Sequence, residues 1–143
     1  MANFIQKTRT LVIGVLSKRW LSTIFLILAL DVTTFFAFRR TSGTASFVNQ
    51  DKVLHALGFA ILTILGHCAL NFDFLRSIHR FSFKLVTLNA TIWVLYGIFI
   101  EIGQKMLGYR QASLGDFLAD VTGILIGTLW IWGWRLFPKE RGT

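Results

Sequence analysis

The sequence predicts an all-α fold: an integral membrane bundle of four transmembrane helices, preceded by an amphipathic helix lying in the membrane interface. Three observations predict it. The chain has 143 residues, is 54% apolar and contains one proline, and its mean hydropathy is +0.60. Runs of about 20 mostly apolar residues recur four times, the length needed to cross roughly 30 Å of hydrocarbon. Those runs lack the polar stripe that a soluble core helix turns to water. The length suits one domain, and no soluble domain, internal repeat or low-complexity segment interrupts it.

Residues 1–19 form the interfacial segment. Phe4, Ile5, Thr8, Leu11, Val12, Val15 and Leu16 share one helical face, and Asn3, Gln6, Lys7, Thr10, Gly14 and Lys18 the other. This is the spacing of a helix lying flat in the headgroup region. A signal peptide fits less well: the next apolar run is long for an h-region, contains Asp31, and ends in Phe-Arg-Arg rather than at a small-residue cleavage site. The transmembrane domain covers 20–137, with spans at about 20–38, 53–72, 85–107 and 114–137 and boundaries uncertain by about 2–4 residues. Short loops predict that sequence neighbours pack antiparallel. Residues 138–143 form a tail. Trp130, Trp132 and Trp134 read as an interfacial anchor at the end of the last span.

The net charge is +8. The basic residues flank the apolar runs, as topology signals and contacts to anionic headgroups require, and no nucleic-acid motif accompanies them. Nucleic acid is therefore not an expected partner. With four spans, the amino-terminal segment, the 73–84 loop and the carboxy-terminal end from Arg135 onward share one side and carry ten Lys and Arg, against five opposite. The positive-inside rule then puts both termini in the cytoplasm. Cys68 is the only cysteine, which leaves no intrachain disulfide and no cysteine metal cluster. It reads as a small core filler.

That topology gathers Asp51, His55, Glu101, Gln104, Arg110, Asp116 and Asp120 on the outer side. Charge at a helix centre costs about 2.5–3.5 kcal/mol on insertion scales. At about 1.5 Å per residue, Glu101 and Asp120 lie roughly 9–10 Å below the outer loop, and Asp31 roughly 12 Å. Asp51 and His55 are four residues apart, as are Asp116 and Asp120, while Glu101 and Gln104 are three apart, so each pair shares a helix face. Those faces should turn into the bundle and form a polar pocket opening outward. In it His55 could act as acid or base between carboxylates, and Arg110 could hold a phosphate or carboxylate. Taken alone, Asp116 near a helix start reads as a cap. His67 and His79 read as structural. Gly58, Gly97, Gly103, Gly115, Gly123 and Gly127 allow close helix packing, with Gly123 and Gly127 in a small-xxx-small spacing. A purely structural network that fixes helix packing is the competing reading of the whole cluster.

Three motifs then stand in order: Asp51-Lys52-Val53-Leu54-His55-Ala56-Leu57-Gly58-Phe59, Tyr96-Gly97-Ile98-Phe99-Ile100-Glu101-Ile102-Gly103-Gln104, and a run from Arg110 through Ser113 and Asp116 to Gly123 and Gly127. In these the chain resembles the VanZ-like family, over roughly its last two-thirds. One departure is Asp120, where the family pattern usually has asparagine. The extra carboxylate makes the pocket more acidic or leaves one carboxyl protonated. The resemblance implies a small multi-span protein of the bacterial envelope, in the cytoplasmic (inner) membrane. The family's named member is linked to low-level resistance to the glycopeptide teicoplanin.

Together these readings predict an envelope protein whose outer-leaflet pocket binds an amphipathic ligand, such as a lipid-linked cell-wall intermediate or a lipoglycopeptide. The pocket residues are Asp51, Lys52, His55, Glu101, Gln104, Arg110, Ser113, Asp116 and Asp120. Membrane lipids and further copies of the chain are the other expected partners. Two alternatives stand. One is an enzyme acting on a lipid phosphate or lipid-linked group, although the Lys followed seven positions later by Arg-Pro of the lipid phosphatases is absent. The other is a small proton-coupled transporter, against which the lack of a broken helix counts. No cofactor and no metal are assigned. His55, His67 and His79 fall at alternate ends of the second span and cannot share an ion. An oxygen-rich set of Asp51, Glu101, Asp116 and Asp120 is what could attract a divalent cation.

Overall fold

A helix satisfies every backbone N–H and C=O within its own segment, which is why apolar runs of this length cross hydrocarbon as helices. The computed structural model describes residues 7, 8, 10–12, 14, 15, 18, 20–39, 50–75, 82–108 and 113–136, and among them it contains helix and no strand. Four helices are long and apolar enough to span a membrane. They are α1 (Leu21–Phe38), α2 (Gln50–Cys68), α3 (Phe83–Leu107) and α4 (Leu114–Leu136). A short helical stretch precedes them, with Leu11 and Val15 exposed. Phe4, Ile5, Leu16, the basic loops and the tail lie outside the described residues.

Two boundaries differ from expectation. α2 begins at Gln50 rather than Val53, so Asp51 and Lys52 are in its first turn. At its other end the helix does not stop at Phe72 but widens into a π-helix, Ala69–Phe74, closed by the Leu75 N–H donating to the Leu70 carbonyl at 3.0 Å. The wider turn keeps the chain helical for two more residues and carries Asp73 into the bundle, where it is buried.

The tightest contact is not between sequence neighbours. A Cβ added at Gly123 would strike the Ala56 carbonyl, and one at Gly127 would meet the Ala60 carbonyl and Thr63 Cβ at 2.8 Å. Both registers rise together along α2 and α4, so these two helices run parallel, backbone against backbone. The small-xxx-small spacing of Gly123 and Gly127 makes that approach possible. Phe59, Leu62 and Ile100 are fully buried and pack with Ala37, Trp93 and Ile124 in the core. Leu28, Phe35, Leu95, Phe99, Leu129 and Trp132 face outward as a lipid-exposed surface. The four helices make this a multi-pass membrane protein.

The consequence for a site is geometric. Parallel α2 and α4 start at the same end, and α3 finishes there. The charged first turns of two helices and the charged last turns of a third therefore share one depth, the acidic end of the bundle.

Candidate functional site at the acidic end

α2 contributes Asp51, Lys52 and His55 from its first two turns. α4 contributes Asp116 and Asp120, one turn apart on the face packed against α2. The Gly123 contact fixes the register one turn deeper and sets His55 beside Asp120. The ring N–H at Nδ1 of His55 donates to Oδ1 of Asp120 at 2.7 Å. Both side chains are almost fully buried, 7% and 1% exposed. Gly97 on α3 makes the room: Oδ2 of Asp120 lies 3.0 Å from where a Cβ at that position would be. Asp51, His55 and Asp116 each offer a ligand atom within 4.8 Å of the others.

α3 joins through Glu101. Its Oε2 accepts the backbone N–H of Ser113 at 2.9 Å, and it lies within electrostatic reach of His55, Asp116 and Asp120. Ser113 caps α4: its hydroxyl accepts the Gly115 N–H at 3.1 Å, and its carbonyl accepts the Asp116 and Phe117 N–H groups. The start of α4 thus faces two carboxylates, Glu101 and Asp116, where the helix dipole favours negative charge. Lys52 reaches across, with its Cε 2.7 Å from the Cβ position of Gly115.

The structure thereby brings together Asp51, Lys52, His55, Glu101, Ser113, Asp116 and Asp120. Gln104 goes elsewhere. It is fully buried and its amide donates to the Ala37 carbonyl on α1 at 2.8 Å. Residues three apart on a helix point about 60° from each other, enough for Glu101 to meet α4 while Gln104 meets α1. Arg110 lies outside the described residues. Asp31 is exposed on α1 and does not enter the cluster.

The arrangement is under-satisfied. Among the described residues, Oδ2 of Asp120 and Oε1 of Glu101 are buried without a hydrogen-bond partner. Among the described residues, four carboxyl groups face one lysine and one histidine. Chemically, the site offers a histidine held at Nδ1 by a carboxylate, which leaves Nε2 for a proton, a metal or a ligand.

Sequence reasoning missed a second polar set at the opposite end. Asp73 accepts the Trp20 N–H at 3.0 Å on Oδ1, and the Thr23 N–H and hydroxyl at 2.8 and 2.7 Å on Oδ2. It caps α1 and holds Trp20 in a left-handed conformation with φ 66. Asn89 donates to the Thr63 carbonyl at 2.8 Å and accepts the Trp93 indole N–H at 3.0 Å. The one available signal was an aspartate between two phenylalanines, Phe72 and Phe74, directly after an apolar span. His67 belongs to this end, with the amide of Asn71 3.0 Å from its Nε2.

Searches against protein-family models, curated proteins and solved structures found no match to this chain.

Proposed function

We propose that this chain is a VanZ-like protein of the bacterial cytoplasmic membrane, with both termini in the cytoplasm. In this reading its acidic end faces outward and binds the polar head of an amphipathic ligand. The three ordered motifs support the family, and the ten-to-five distribution of Lys and Arg supports the orientation. The observation that carries the function is the His55–Asp120 pair, with Asp51, Asp116 and Glu101 around it and two buried carboxylate oxygens lacking donors. Intramembrane charge left unsatisfied and turned into the bundle is the usual mark of a ligand path. The ligand classes that fit are a lipid-linked cell-wall intermediate and a lipoglycopeptide such as teicoplanin, each with a polar head and an apolar tail that the exposed Leu and Phe surface accommodates.

A second reading is favoured by one observation. The carboxylate on Nδ1 of His55 is the orienting contact a general base or nucleophile requires. Turnover of a lipid phosphate at the same site follows from it.

The test uses purified full-length protein in detergent, titrated separately with a polyprenyl phosphate and with teicoplanin. Saturable binding of either is expected, weakened at least about tenfold, or 1.4 kcal/mol, by His55→Gln and Glu101→Gln with unfolding temperatures retained. Binding of neither probe, or binding indifferent to both substitutions, overturns the proposal. Release of inorganic phosphate from the polyprenyl phosphate decides for the enzyme.

A further inference from the structure

The acidic end poses an electrostatic problem for the ligand just proposed. A phosphate brought to Asp51, Glu101, Asp116 and Asp120 meets four carboxyl groups, with Lys52 and His55 as the cationic groups of the cluster among the described residues. A cation bound at this end would attract the phosphate.

The geometry points to where it sits. Asp51 and His55 lie one turn apart on α2, and Asp116 lies in the first turn of α4, with one ligand atom of each within 4.8 Å of the rest. Ligands bonded to one ion at about 2.0–2.2 Å stand roughly 3.4 Å apart, so side-chain shifts of about an ångström close the set around an ion. Nδ1 of His55 is already taken by Asp120 at 2.7 Å, which leaves Nε2 to coordinate. A carboxylate behind a coordinating histidine fixes its ring and raises its basicity. Separately, Asp120 is 1% exposed and its Oδ2 has no partner among the described residues. A half-satisfied carboxylate behind His55 is stabilised by a cation bound at the ring's other nitrogen.

We propose that Asp51, His55 through Nε2, and Asp116 bind one divalent cation of the zinc type, with Asp120 as the positioning residue behind His55 and one coordination position left open for the phosphate of an amphipathic ligand. The cation site stands on the geometry alone; the open position for phosphate rests on the headgroup reading above. One imidazole among oxygen ligands selects zinc over magnesium and calcium, which take all-oxygen sets. Three protein ligands with a free position is the pattern of zinc sites that engage a further molecule. The set differs from the all-oxygen one that sequence spacing suggested, because the pairing of α2 with α4 brings in His55, while Glu101 is tied to Ser113.

The experiment uses the full-length protein in detergent, stripped with EDTA and dialysed against Zn2+, with bound metal counted by mass spectrometry. Co2+ in place of Zn2+ reports coordination by its visible absorption. One Zn2+ per chain is expected. Asp51→Asn and Asp116→Asn should abolish that stoichiometric binding. Asp120→Asn keeps all three ligands and should weaken binding by about 10–100-fold. His67→Gln, at the opposite end of α2, should leave the count at one. Zn2+ should also raise the unfolding temperature of the wild type and not of Asp51→Asn, which separates a lost site from a misfolded variant. Less than one Zn2+ per folded wild-type chain, or a count unchanged in both aspartate variants, overturns the cation site. Polyprenyl phosphate titrations with and without EDTA separate the two proposals. Phosphate binding that survives EDTA overturns the bridging ion and leaves the headgroup reading standing. Stoichiometric Zn2+ without lipid binding does the reverse.

Discussion

The two ends of this bundle handle buried carboxylates in opposite ways. At one end Asp73 receives three donors, from Trp20 and Thr23, and Asn89 both donates and accepts. Each of these groups is matched to a complementary partner on another helix or on the next turn. At the other end four carboxylates crowd round His55, and two of their oxygens are buried with no donor among the described residues. Burying a polar group without a hydrogen bond is costly, and crowding like charges adds to the cost. A carboxylate with a donor on each oxygen at one end, and carboxylates with an open oxygen at the other, separate what holds the fold from what the fold is for. The comparison can be broken by measuring stability and binding at both ends, and the expected effects decrease in the order below.

The largest stability effect belongs to the satisfied end. Asp73→Ala strands three donors, each worth about 1–3 kcal/mol when left unpaired in a buried site. It also releases Trp20, whose left-handed backbone persists because Asp73 holds its N–H. The expected loss is about 3 kcal/mol or more in reversible unfolding in detergent, with ligand and Zn2+ affinity of the folded fraction unchanged. A loss under about 1 kcal/mol, within the range of an ordinary substitution, would show that this end is not the structural one.

Next comes the seam that builds the site. Gly123→Leu forces a side chain into the Ala56 carbonyl and drives α2 and α4 apart. Overpacking of this kind costs about 1–3 kcal/mol, and the separation should also break the His55–Asp120 contact and with it ligand binding. Gly133 has nothing within 4 Å of its Cβ position, so Gly133→Leu should stay within about 0.5 kcal/mol. Equal costs at the two glycines would mean that the seam does not set the site's geometry.

How far all this could be read from sequence depends on the range of the interaction involved. Four apolar runs declare four spans because length and hydropathy are local. The pairs Asp51 with His55 and Asp116 with Asp120 declare two charged faces because helical spacing is local too. That those faces meet each other is a property of the parallel α2–α4 pair, and it follows from Ala56 and Ala60 lying opposite Gly123 and Gly127. Neither helix reveals that alone. Spacing puts Gln104 in the cluster, but it bonds to α1 instead, since a 60° turn about α3 is enough to change its neighbour. Asp73 falls beyond the second span on hydropathy, because a π-helical extension has no composition signal. Arg110, the anion-holding candidate by residue type, lies outside the described residues.

The smallest stability effect, and the sharpest use of the comparison, lies in the acidic end itself. Asp120→Asn keeps the shape and the acceptor for the His55 ring N–H while removing one of four crowded charges. Glu101→Gln keeps an acceptor for the Ser113 N–H. Relief of repulsion offsets the weaker hydrogen bond in each, so the expected change is below about 1 kcal/mol, close to that of Leu28→Ala on the lipid face, where exposed substitutions stay near 0.5 kcal/mol. Binding behaves differently, because affinity depends on the charges that stability does not need; polyprenyl phosphate or teicoplanin affinity should fall at least about tenfold. A structural ion pair gives the opposite result. Removing one partner of a buried pair strands the other at about 3–5 kcal/mol, and binding then falls only as far as the folded fraction does. Unfolding curves and affinities measured on the same four proteins — wild type, Asp120→Asn, Glu101→Gln and Leu28→Ala — separate the two cases. Large stability losses with unaltered affinity per folded molecule would make the two ends of the bundle alike, and the acidic cluster a scaffold.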